Sequence, residues 1–113
     1  MMLNVTRVLM ATVLVGAWAM PVAAQDAKVA AGQLLFTAQK CSLCHAVGGV
    51  GNKKHPLDGV GKTITAELAT LWLTDPKAAA AKTSKTGTPP MKSFAGLSAE
   101  DRAALVAYVM SLK

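Results

Sequence analysis

"QKCSLCHAVGG", residues 39–49, holds both cysteines of the chain, two residues apart, with a histidine directly behind the second. At i and i+3 of a helical turn, Cys41 and Cys44 direct both sulfurs to one side, and His45 projects beside them. Three kinds of chemistry use such a cluster: a redox disulfide, a zinc site, or a larger group held at several points. The surrounding sequence separates them.

The chain has 113 residues, which is one domain at most. Its start is set apart: Arg7 is followed by an uncharged apolar run from Val8 to Met20, then by Pro21-Val22-Ala23-Ala24. That order predicts a secretory signal peptide at 1–24, cleaved after Ala24, and one domain at 25–113. A retained membrane anchor is the alternative, but the run is short against the ~20 apolar residues of a spanning helix. The 89 residues left carry 11 basic against 6 acidic side chains, a net charge of +5. A chain of that size makes one small core that is marginal without a cofactor or crosslink. Its lysines are spread out and lack interleaved aromatics, so a nucleic-acid partner is not expected.

Helical patterns and Gly/Pro-rich loops dominate, with no run of strand alternation, which predicts an all-α domain. A first helix is expected from near Asp26 to Gln39, with Val29, Gly32 and Phe36 on one face. Gly32 is the anomaly, since glycine inside a helix costs about 1 kcal/mol relative to alanine. Its presence implies that another element packs on the backbone there. The last helix starts from Ser98 as N-cap, with Asp101 three residues on, and carries a stripe of Leu105, Tyr108, Val109 and Leu112. The two terminal helices are expected to cross with Tyr108 on Gly32. Between them Thr65 caps a helix from Ala66 to Thr74, and Asp75 caps a second with Pro76 in its first turn. Residues 48–62 and 83–96 read as loops, long enough to wrap something or carry a site.

C-x-x-C-H is the attachment pattern of c-type haem: the thiols bond to the two vinyl groups and the histidine ligates the iron. A thioredoxin-like disulfide needs a βαβ context that is absent, and gives His45 no role. Zinc has four nominal ligands in Cys41, Cys44, His45 and His55, but consecutive ligation by Cys44 and His45 suits a closed tetrahedron badly. Covalent haem also supplies the apolar filler that a small chain lacks. The opposite face of the iron then decides between an electron carrier, which closes it, and an oxygen- or peroxide-processing site, which leaves it open. Met110 lies inside the last helix and reads as core filler. Met91 follows Thr88-Pro89-Pro90 on a stiff, extended segment, and is the expected distal ligand. His55, ten residues after His45, competes for that place, but its short tether predicts the proximal side.

With these pieces on one chain, the sequence resembles the class I cytochrome c family in its small bacterial periplasmic form, across the whole of 25–113. The resemblance rests on Gly32-x-x-x-Phe36, Cys41-Ser42-Leu43-Cys44-His45, Pro56-Leu57-Asp58-Gly59-Val60-Gly61, Trp72-Leu73-x-Asp75-Pro76, Pro89-Pro90-Met91, and Leu97-Ser98-x-Glu100-Asp101 leading to Leu105-x-Ala107-Tyr108. It implies the cytochrome c fold: terminal helices crossing, with short middle helices and long loops wrapped round one haem c. The haem is bound through Cys41 and Cys44, with iron held by His45 and Met91. The Pro56 carbonyl is implied to accept the proximal histidine N–H, a contact that fixes the ring and raises its basicity. Trp72 matches a tryptophan near a haem propionate, and also suits a plain core aromatic. The residue before the proline is commonly glycine in the family, and here it is His55.

The implied function is that of an electron-transfer protein, not an enzyme: a monomeric periplasmic carrier in a respiratory chain, without stable membrane insertion after signal cleavage. A haem-bearing subunit of a periplasmic dehydrogenase or oxidase is the alternative, and a peroxidase-like or gas-sensing haem with dissociable Met91 the third reading. Lys82, Lys85 and Lys92 flank the Met91 loop, and Lys40, Lys53 and Lys54 flank the haem motif. A basic rim of that kind predicts redox partners with an acidic docking surface.

Overall fold

Residues 22–85 and 87–113 are described in the computed structural model of the chain. The expected signal segment lies outside them, except for Val22-Ala23-Ala24. Those three residues begin α1 (Val22–Ala38), four residues before the expected start. Alanine at 23, 24 and 27 explains the extension, since nothing in that stretch opposes helix. After α1 the chain turns through Lys40, at a positive φ of 58°, into a 3₁₀ turn at Cys41–Leu43.

The segment that follows departs from the all-α expectation in one respect. Three short strands, β1 (His45–Val47), β2 (Val50–Gly51) and β3 (His55–Pro56), form a small sheet in the order β2-β1-β3. β1 pairs with β2 antiparallel, Val47 opposite Val50, and with β3 parallel, His45 opposite His55. Strands of two or three residues are too short to show an alternation of period two, so no pattern announces them. They are a minor addition to a fold that is otherwise helical. The Asp58 carboxylate accepts from the Gly48 N–H at 2.8 Å, and ties the two ends of this loop together.

The remaining helices start where their caps lie. Thr65 Oγ1 accepts from the Leu68 N–H at 3.1 Å and opens α2 (Ala66–Thr74). Asp75 Oδ1 accepts from the Ala78 N–H at 3.1 Å and opens α3 (Pro76–Thr83), with Pro76 in the first turn where its missing N–H costs nothing. Ser98 Oγ accepts from the Asp101 N–H at 3.1 Å and opens α4 (Ala99–Ser111).

Helices α1 and α4 cross at Gly32. A Cβ built on that glycine would stand 2.7 Å from Tyr108 Cβ and would overlap the Ala104 carbonyl. The bare backbone is what lets α4 approach, and Phe36 meets Tyr108 edge-on at 5.4 Å between ring centres. Phe36, Leu73, Phe94, Leu105 and Tyr108 form the buried core, with Met91, Cys41 and Leu57 packed against it. A second close approach holds the end of α4. The Gly61 N–H donates to the Leu112 carbonyl at 2.8 Å, and a Cβ at Gly61 would stand 3.0 Å from that oxygen.

Candidate functional site

The haem motif folds as its spacing predicts. The Cys44 N–H donates to the Cys41 carbonyl at 3.1 Å, which closes one turn and leaves the two cysteines at i and i+3. Asn52 fastens this turn to the loop beyond it: its side-chain amide donates to the Leu43 carbonyl at 3.1 Å, and its backbone N–H donates to the Ser42 carbonyl at 3.0 Å. Cys41 is half-buried and Cys44 exposed. Burial pushes the Cys41 thiol up from its ordinary value, against the opposing pull of a backbone hydrogen bond and of Lys92.

His45 is held at its far nitrogen. Nδ1 lies 3.0 Å from the His55 carbonyl, which only accepts, so Nδ1 carries the proton and Nε2 keeps its lone pair. The acceptor differs from the expected Pro56 carbonyl by one residue. Register is the cause: in the β1–β3 pair His45 stands opposite His55 and Pro56 opposite Ala46, so the His55 oxygen is the one in reach. Burial pulls the His45 pKa below its ordinary value, partly opposed by this hydrogen bond, so the neutral imidazole is favoured.

Two cavities meet on these residues. The larger, about 320 Å³, is lined among others by Cys41, His45, Pro56, Trp72, Met91 and Leu105. The smaller, about 270 Å³, is lined by Cys41, Cys44, His45, Met91, Phe94 and neighbours. Cys41, His45 and Met91 therefore line both, and every expected site residue lies on one or the other. Met110, by contrast, lines neither. The ring of His55 stands 6.3 Å from that of His45 and lines the larger cavity from the β3 side.

Met91 is held by residues that the sequence did not single out. Two residues on, the Ser93 hydroxyl donates to the Thr74 carbonyl at 3.1 Å, and the Phe94 N–H donates to the Leu73 carbonyl at 2.6 Å. Arg102 of α4 donates through Nη1 to the Ala95 carbonyl at 3.0 Å and also to that of Leu97. The loop that bears Met91 is thus fastened to the end of α2 and the start of α4. An aromatic within that loop, in a chain with two phenylalanines, was the available hint of an anchor.

The site suits a large apolar group with a metal at its centre. Its walls are mostly aliphatic and aromatic, with the His45 imidazole and the Met91 thioether for a metal, a second imidazole at His55, and two thiols for covalent attachment. Among the described residues no cluster of three or more His, Cys, Asp or Glu side chains is placed to hold a metal ion by itself, so the zinc set is not assembled. The sequence model of the cytochrome c family matches residues 29–113, and the chain belongs to that family. Searches of curated proteins and of solved structures find no match. Membership makes the bound group haem c with its iron, attached at Cys41 and Cys44, and makes electron transfer through the haem the protein's activity.

Proposed function

We propose that this cytochrome c is a periplasmic one-electron carrier whose iron is held by His45 on one side and Met91 on the other. The observation that carries the reading is that His45 and Met91 both line both cavities, together with Cys41. Haem iron supplies the one-electron chemistry, passing between ferric and ferrous, and a Met/His pair favours the ferrous side relative to harder ligands. His45 offers Nε2 because the His55 carbonyl holds Nδ1–H. Met91 offers its sulfur from a loop fastened at Ser93 and Phe94, so little need move when the charge on the iron changes.

Export fits a family whose members are typically secreted, and among the described residues no helix is long and apolar enough to cross a membrane. The exit for the electron is the exposed side of the smaller cavity, where Leu43 and Cys44 face solvent. Lys40 and Lys92 line that cavity, which places two of the expected six lysines at its rim. A monomer that docks there to acidic redox partners is the arrangement this charge supports, with an association rate that falls as salt rises. Replacing Lys40 and Lys92 by glutamine should flatten the salt dependence of electron transfer to an acidic acceptor; an unchanged slope would remove this surface from consideration.

The ligand pair is tested by optical spectroscopy of the holoprotein. The oxidised protein should show the weak long-wavelength band of ferric iron bound to methionine sulfur, and Met91→Ala should lose it. The reduced protein should bind carbon monoxide only in the variant. A band that persists in Met91→Ala, or carbon monoxide binding by the unaltered protein, would overturn the assignment.

A further inference from the structure

The larger cavity contains polar groups that the reading above leaves without work. Besides Cys41 and His45, its polar lining consists of His55, Trp72 and Lys85. Among the described residues the His55 imidazole and the Lys85 ammonium have no hydrogen-bond or ion-pair partner, and His55 is half-buried. The position of His55 is specific. Its backbone belongs to β3, beside His45, yet its Nε2 stands 4.0 Å from where a Cβ on Gly87 would lie, in the loop that leads to Met91. The ring thus reaches from β3 toward Gly87, which follows Lys85 by two residues.

Both cysteines line the smaller cavity, Cys41 being shared with the larger, whereas His55, Trp72 and Lys85 line only the larger. A haem carries the two carbons that bond to cysteine on one half of its rim and its two propionate carboxylates on the other half. A haem attached at Cys41 and Cys44 would therefore turn its carboxylates toward the larger cavity. There a carboxylate needs donors or a cation, because an ionised group left unpaired in an apolar cavity is costly.

We infer that His55 and Lys85 form the seat of the haem carboxylates, His55 by donating from its imidazole and Lys85 by its charge. This rests on the haem lying between His45 and Met91. Both residues act on the iron through the carboxylates: donors and positive charge there offset negative charge that would otherwise stabilise the ferric state. His55 accordingly has two separable roles, its carbonyl for His45 and its side chain for the carboxylates.

The test uses holoprotein carrying His55→Ala, His55→Gln or Lys85→Gln, with reduction potential and the propionate bending mode in resonance Raman as readouts. His55→Ala leaves the carbonyl that holds His45 in place. The potential should shift downward in His55→Ala and Lys85→Gln, with a moved bending mode, and His55→Gln, which keeps a donor, should restore most of both. An unchanged potential and bending mode in His55→Ala and Lys85→Gln, with the methionine band intact, overturns the seat. If His55→Ala fails to accumulate as holoprotein, Lys85→Gln at its exposed position decides by the same two readouts. Absence of the methionine band in the unaltered protein overturns the Met91 assignment instead, and the bending mode measured on the same samples still supports or overturns the seat.

Discussion

At the scale of single residues, Gly32 carries the largest structural consequence. Its missing Cβ is what admits the Ala104 carbonyl and Tyr108 Cβ, and both neighbours belong to the body of α4, which cannot swing aside as a flexible side-chain tip would. One added methyl therefore forces the terminal helices apart, and overpacking of a core contact of this kind costs about 3 kcal/mol. The offsetting gain in helix propensity is only about 1 kcal/mol. We expect Gly32→Ala to lower the unfolding free energy of the holoprotein, read from its guanidinium midpoint, by the net of these, about 2 kcal/mol. Gly96→Ala makes the control, because a Cβ there meets nothing within 4 Å, and its effect should stay within about 0.5 kcal/mol. Equal midpoints for the two variants would show that the crossing is not sterically set at Gly32.

At the scale of elements, the loop between α3 and α4 is positioned by its end nearest α4. The Ser93 hydroxyl on the Thr74 carbonyl is an exposed bond, and its net worth is about 1 kcal/mol. If it helps hold Met91 in place, Ser93→Ala should make displacement of Met91 by added imidazole about fivefold more favourable, with the fold intact by circular dichroism. An unchanged imidazole affinity would mean that Phe94 and Arg102 fasten the loop without it. The sequence shows why such anchors are hard to read in advance. The caps at Thr65, Asp75 and Ser98 were legible because donor and acceptor lie three residues apart. Gly32 was legible because a glycine violates helix propensity. Thr74 and Ser93, by contrast, are nineteen residues apart, and nothing in either residue type points to the other. The sheet was illegible for a related reason: its strands are two or three residues long, and their register follows from the haem motif and the returning loop together. That register moved the acceptor for His45 from Pro56 to His55, and it aimed the His55 ring toward Gly87, which no spacing rule foretells.

At the scale of the whole molecule, the two cavities put a limit on what the polypeptide can do alone. The larger cavity is partly open and lined mostly by apolar side chains, so without haem it leaves exposed to water the kind of surface that a small domain depends on burying. A small domain has only about 5–15 kcal/mol of net stability, so that lost burial is large against the whole. Three residues of the buried core, Phe36, Leu73 and Leu105, line this space. Haem is therefore a structural component as well as the redox centre, kept in place by its covalent attachment at Cys41 and Cys44. The variant with both Cys41 and Cys44 changed to alanine, purified without haem, should lack a cooperative thermal transition and should bind a dye that reports exposed apolar surface. Restoring one cysteine should not recover the transition unless haem is attached. A haem-free chain that melted cooperatively, with the near-ultraviolet dichroism of a packed Trp72 and Tyr108, would show that the helices close over the cavity on their own and that the haem only occupies a site already stable without it.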